Sequence, residues 1–190
     1  MASTQRENNS TLRITFIGLM AAIVFVLNYL RIPFMGTQLH TTNALCALSG
    51  LLFGPGAGFL AAGLGSALYD IVAGWGAECV ITFVNKGAIA LVAGLIAHKT
   101  AHKDALTTAD QARIAAGCVL GALTYVALYM LKTFVFGLLV NGMTMEGVSA
   151  SMLSKLPGSL INAVFSFIVA PILLGALRPA LRQAGLFDKL

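Results

Sequence analysis

Charge is scarce in this chain. Of its 190 residues 10% are charged, 58% are hydrophobic, and the mean hydropathy is +0.87. Soluble domains carry about 25% charge, so the composition excludes an ordinary soluble domain and points to a polytopic membrane protein. Cysteine is limited to Cys46, Cys79 and Cys118, all in apolar surroundings and without CxxC or Cys/His ligand spacing. They are expected to be small buried hydrophobes, and no metal site is expected. The glycine-rich run GPGAGFLAAGLGS lacks the lysine of a phosphate-binding loop, and no HExxH or GxSxG occurs. Ser154-Lys155 is only a dipeptide. Nothing here supports an enzyme, and no cofactor is expected in this chain. The net charge of +5 does not argue for nucleic acid, because the basic residues occupy short loops and termini, where they decide topology. The start, MASTQRENNSTLR, is polar without an apolar core, so no cleaved targeting peptide is expected.

What the chain has is long apolar runs. Its length suits a single membrane domain over residues 1–190 of roughly five to seven helices at about 20 residues each, with residues 1–12 as a short solvated tail. Residues 31–42, with Pro33 and Gly36, break the pattern as a loop that could fold over a pocket as a lid or merely cover the membrane edge. The stretch 43–73 is apolar but interrupted at Gly54-Pro55-Gly56, and charge decides how to divide it. Arg6 and Arg13, then Lys99, Lys103 and Arg113, then Arg178, Arg182 and Lys189 form three basic groups that should share the cytoplasmic side. A break at Gly54-Pro55 gives an even number of crossings between each group. The expectation is therefore an all-α integral membrane protein with six spans, near 14–31, 42–54, 57–73, 78–97, 113–140 and 150–177, and both termini cytoplasmic. The second span, short at about 20 Å, should either lie inside the bundle or extend into the loop before it. Gly18 and Ala22 on the first helix have the spacing that lets another helix approach closely.

The organising stretch is YDIVAGWGAECVITFVNK, residues 69–86. It gathers Asp70, Trp75, Glu78, Thr82, Asn85 and Lys86 between apolar runs. Ionisable residues within membrane segments are costly and by default mark a pathway or pocket. Glu78, Thr82 and Asn85 follow helical spacing, as do Tyr125, Tyr129 and Lys132, and Lys155, Ser159, Asn162 and Ser166. Three stripes therefore converge in the outer half of the membrane and leave the inner half nearly without charge. Bland readings exist for each member. Lys132 and Lys155 could snorkel to the surface, Tyr69 and Trp75 could belong to an interfacial belt, and Asp70 could pair with Lys86 or Lys132. The one-sidedness favours a cavity open to the outside that holds a small polar, aromatic molecule. Its expected ligands are Tyr69, Asp70, Trp75, Glu78, Asn85, Lys86, Tyr129, Lys132 and Asn162, with His40 from the loop.

The order of a basic start, a small-xxx-small first helix and a proline-containing loop, followed by NALCALSGLLFGPGAGFLAAGLGSALYDIVAG and TFVNKGAIALVAGLIAHK, resembles the substrate-binding S-components of energy-coupling factor (ECF) transporters, in particular the riboflavin-transporter-like branch. The likeness covers most of residues 14–100. It implies a six-helix protein of the bacterial cell membrane that binds one water-soluble vitamin or precursor near its outer face. It also implies partners: a transmembrane T-component and two ABC ATPases that carry the ATP and magnesium. The family's AxxxA contact with the T-component has Gly18-x-x-x-Ala22 as its nearest match, with glycine in the first place. Release by toppling of the S-component in the membrane would fit the missing inner polar track. With Tyr69, Trp75, Tyr129 and Phe34 as the available aromatics, a single ring with hydroxymethyl groups, such as hydroxymethylpyrimidine or pyridoxine, is favoured. Riboflavin is the main competitor, and a stand-alone permease is the competing class.

Overall fold

A computed structural model describes residues 2–34 and 37–185. Six helices follow one another: α1 (Ala2–Leu27), α2 (Thr42–Phe53), α3 (Pro55–Val72), α4 (Cys79–Ala101), α5 (Thr108–Leu139) and α6 (Met145–Gln183). Two strands, β1 (Arg31–Phe34) and β2 (Thr37–His40), intervene between α1 and α2, and a 3-10 turn (Gly76–Glu78) precedes α4. Four stretches are long and apolar enough to cross a membrane: Thr42–Val72, Gly76–Ala101, Thr108–Leu139 and Met145–Gln183; Thr11–Leu27 is a shorter apolar helix. Large apolar side chains such as Leu95, Leu139 and Ile172 stand exposed around the bundle, as expected of a surface that meets lipid rather than water.

The stretch Thr42–Val72 is folded back on itself. Gly54 adopts φ +83°, a left-handed conformation that costs glycine little, and Pro55 opens α3 at the helical position that proline favours. A Cβ added to Gly58 would come within 2.6 Å of the Gly50 backbone, so α2 and α3 lie side by side rather than as one rod. Every residue of α2 except Leu45 is buried, between α3, α4 and α6. This is the central position expected of the shortest helix. Its 12 residues make about 18 Å. The turn at Gly54 leaves carbonyls of the last turn of α2 without helical partners, and side chains meet them. His98 Nδ1 lies 2.9 Å from Leu51 O, His102 Nε2 lies 2.9 Å from Leu52 O, and Arg13 donates to Phe53 O at 3.1 Å. Where water is scarce, such pairing is what permits a helix to end.

Three boundaries differ from expectation. The segment 1–12 is helical from Ala2 rather than a separate tail; no glycine or proline stands between Ala2 and Ile17 to stop the helix. α5 starts at Thr108, ahead of 113, because Thr107 and Asp110 form a reciprocal capping box. α6 starts at Met145, ahead of 150, where the Thr144 side chain accepts from Gly147 N. The loop 31–42 contains an antiparallel hairpin pairing Arg31 with His40 and Phe34 with Thr37, so the fold is not purely helical. Gly36 and Lys189 lie outside the described residues.

Candidate functional site

One end of the bundle holds a cavity of about 570 Å³. The hairpin covers it, the end of α3 and the 3-10 turn flank it, and α4, α5 and the start of α6 form its walls. Cross-strand partners share a face of a hairpin, as do residues two apart on one strand. Arg31, Pro33, Gln38 and His40 are therefore on one face, and all four line the cavity. The hairpin is latched from beneath. Asn162, 2% exposed on α6, donates from Nδ2 to Gln38 O at 2.8 Å and accepts from His40 N at 3.0 Å. Thr37 Oγ1 lies 3.1 Å from the Tyr129 hydroxyl, and Gly158 gives the Thr37 methyl room against α6.

Of the ten residues expected at the site, Asp70, Trp75, Glu78, Asn85, Lys86, Tyr129, Lys132 and His40 line the cavity. Two stand behind its wall. The Tyr69 ring backs the guanidinium of Arg31, whose carbon is 3.9 Å from the ring centroid, and meets Tyr29 edge-on at 4.8 Å. Asn162 spends both ends of its amide on the hairpin backbone, so it positions the wall. The lining also includes Arg31, Gln38, Phe34, Thr82, Tyr125 and Lys155. Arg31 was expected only to bound the first span. The alternation of RIP and TQLH was the available signal, hidden because each strand has four residues. Gly18 and Ala22 are remote from the cavity on the exposed face of α1, and a Cβ at Gly18 would meet nothing within 4 Å.

The ion pairs are not those considered from sequence. Asp70 faces Arg31 at 3.9 Å, and Arg31 is further held by Gln38 Oε1 at 3.0 Å and Asn28 Oδ1 at 3.1 Å. Glu78 pairs with Lys132. Lys86, 5% exposed, instead donates to Asn43 Oδ1 and has both His40 ring nitrogens at 3.4 Å and the Tyr125 ring centroid at 5.1 Å. The Tyr125 and Tyr129 rings lie parallel, 13° apart in plane and 5.8 Å between centroids. Such a set can stack on a flat molecule and bond its edge with donors and acceptors. Among the described residues no cluster of His, Cys, Asp and Glu is arranged to hold a metal.

Burial, reinforced by the nearby cations of Lys86 and Arg31, holds the His40 imidazole well below its ordinary value, so His40 is neutral at physiological pH. The unfolded chain takes up this proton near pH 6.5 while the folded protein does not. Stability from this residue is therefore fully present above that pH and is lost as pH falls below it. Melting temperature is expected to drop by a few degrees between pH 6.5 and 5.5, since the slope is at most about 1.4 kcal/mol per pH unit. His40→Gln should flatten that part of the profile; an unchanged profile would exclude the contribution.

Comparison with known proteins places this arrangement. Residues 8–179 match the family described as ECF-type riboflavin transporter, S component. Among solved structures, one described as the S component of a bacterial ECF transporter superposes with a TM-score of 0.69 at 21% identity, over 90% of this chain and 98% of that one. At that identity the likeness speaks for the fold. No curated relative matches the chain.

Proposed function

We propose, on the premise that the chain belongs to the family of ECF-type riboflavin transporter S components, that it captures a small heteroaromatic vitamin or precursor from outside the cell. Membership makes it a transmembrane substrate-binding subunit of a vitamin transporter and not an enzyme. The observation that carries the finer reading is the confinement of the cavity to one end of the bundle, beneath a hairpin. Farther along, α2 meets α4 backbone to backbone at Gly50, Ala90 and Gly94, which closes the space between these two helices. In this reading the six helices are six crossings of the bacterial cell membrane, both termini are cytoplasmic, and the hairpin faces outward. The junction of α4 and α5, with Lys99 near the end of α4, Lys103 in the loop and Arg113 near the start of α5, then lies inside.

The lining favours a single ring such as hydroxymethylpyrimidine or pyridoxine. The parallel rings of Tyr125 and Tyr129 offer one aromatic face, and the rest of the lining is rich in polar side chains. Riboflavin is the second reading, favoured by the family and by a volume of about 570 Å³, within the range of drug-sized ligand sites. Transport requires a T-component docked on Gly18 and Ala22 of α1, and two ABC ATPases. Purified protein in liposomes is expected to bind a member of a vitamin panel and to show no uptake by itself. Gly18→Leu should abolish ATP-driven uptake by the full complex while leaving binding within about twofold. Uptake by this chain alone would make it a permease; failure to bind any member would end the receptor reading.

A further inference from the structure

We propose that the ligand presents an anionic oxygen to Lys86. The inference rests on the capture reading above and narrows the substrate class of the same cavity. Both carboxylates of the lining are already engaged, Asp70 with Arg31 and Glu78 with Lys132. Lys86 is almost fully buried and its contacts are all neutral: the Asn43 amide oxygen, the His40 ring and the Tyr125 ring. Lys155 on α6 also faces the cavity, and among the described residues no carboxylate pairs with it. The lining thus holds four cations, Arg31, Lys86, Lys132 and Lys155, against two anions.

A buried ammonium without a counter-ion is costly, and charge-assisted hydrogen bonds are the strong ones where water is excluded. A ligand oxygen bearing negative charge supplies the missing partner. In the same lining, the amide oxygen of Asn85 is buried without a donor, so a hydroxyl or N–H elsewhere on the ligand has a partner there. An ionised ring hydroxyl, a carboxylate and a phosphate ester all have this chemistry. An aminopyrimidine bearing only a hydroxymethyl group does not.

Matched pairs test the inference on the purified full chain: pyridoxine and its 3-O-methyl ether, nicotinate and nicotinamide, riboflavin monophosphate and riboflavin. The pairs separate the three sources of the oxygen. In whichever pair binds, the member able to carry the charge is expected to bind at least tenfold more tightly. Lys86→Met should reduce that ratio below twofold, while Lys86→Arg keeps part of it. Neutral members binding as well as the acidic ones, or a preference that survives Lys86→Met, would overturn the inference and leave the capture reading standing. No binding in any pair, with hydroxymethylpyrimidine bound instead, would overturn the inference alone; no binding in any pair or to hydroxymethylpyrimidine would remove both. If Lys86→Met fails to fold, the wild-type ratios alone decide.

Discussion

Asn162→Ala is expected to lower the affinity for the tightest-binding vitamin by about ten- to a hundredfold without unfolding the bundle. The residue is not itself part of the lining, so the effect travels through the wall that it holds, the hairpin above all. Its amide closes two hydrogen bonds, at 2.8 and 3.0 Å, to the backbone of Gln38 and His40. Truncation leaves Gln38 O and His40 N without partners, at about 1–3 kcal/mol for each buried group. The hairpin then gains freedom, and ordering it becomes part of the cost of binding. Two measurements check this together: equilibrium affinity, and hydrogen exchange over residues 31–40. Loss of affinity with faster exchange is the expected result. Unchanged values of both would show that Thr37–Tyr129 and the helices suffice to hold the hairpin.

Gly50→Ala is expected to be the most damaging conservative change in the protein. A Cβ there would fall inside the Ala90 carbonyl, and the neighbour is backbone of α4, which cannot rotate aside. On its other face Gly50 meets Gly58 of α3 within 2.6 Å of a Cβ built there, so α2 is confined on both sides. Overpacking of this kind costs about 1–3 kcal/mol and occasionally more, and here three helices would have to separate. Loss of the folded monomer in detergent, or a melting temperature lowered by 10 °C or so, is the expected outcome. Gly56→Ala is the control, because nothing lies within 4 Å of the added carbon; it should melt like the parent. Equal behaviour of the two variants would mean that the close approach of α2 to α4 is not as described.

Much of this was legible in the residues. Gly54-Pro55 marked an interruption, and the placing of the basic residues chose a reversal there over one bent span; the structure supplies the reason, because glycine takes φ +83° cheaply and proline suits the first helical turn. The i, i+4, i+7 placing of Glu78, Thr82 and Asn85 put one stripe toward a common space whatever the tertiary detail. What was not legible was anything formed between distant segments. The hairpin is too short for periodicity to separate from a loop, and the residue that fixes it, Asn162, is some 120 positions away. Arg31 read only as the residue that bounds the first span; its role against Asp70, Gln38 and Tyr69 depends on the strand turning it inward. The helix starts at Thr108 and Met145 were within reach through Thr107-x-x-Asp110 and Thr144, signals overshadowed by hydropathy.

The brevity of α2 has one more consequence. About 18 Å of helix in an apolar layer about 30 Å thick leaves a shortfall of about 12 Å, and at that level Asn43, near its first residue, meets Lys86 on the cavity floor. If the helices cross as proposed, the space beyond that end of α2 is where the chamber opens. Cargo height is thereby metered by where one helix begins: adding a turn at Thr42 would raise the floor and admit only smaller guests, and trimming one would deepen the well.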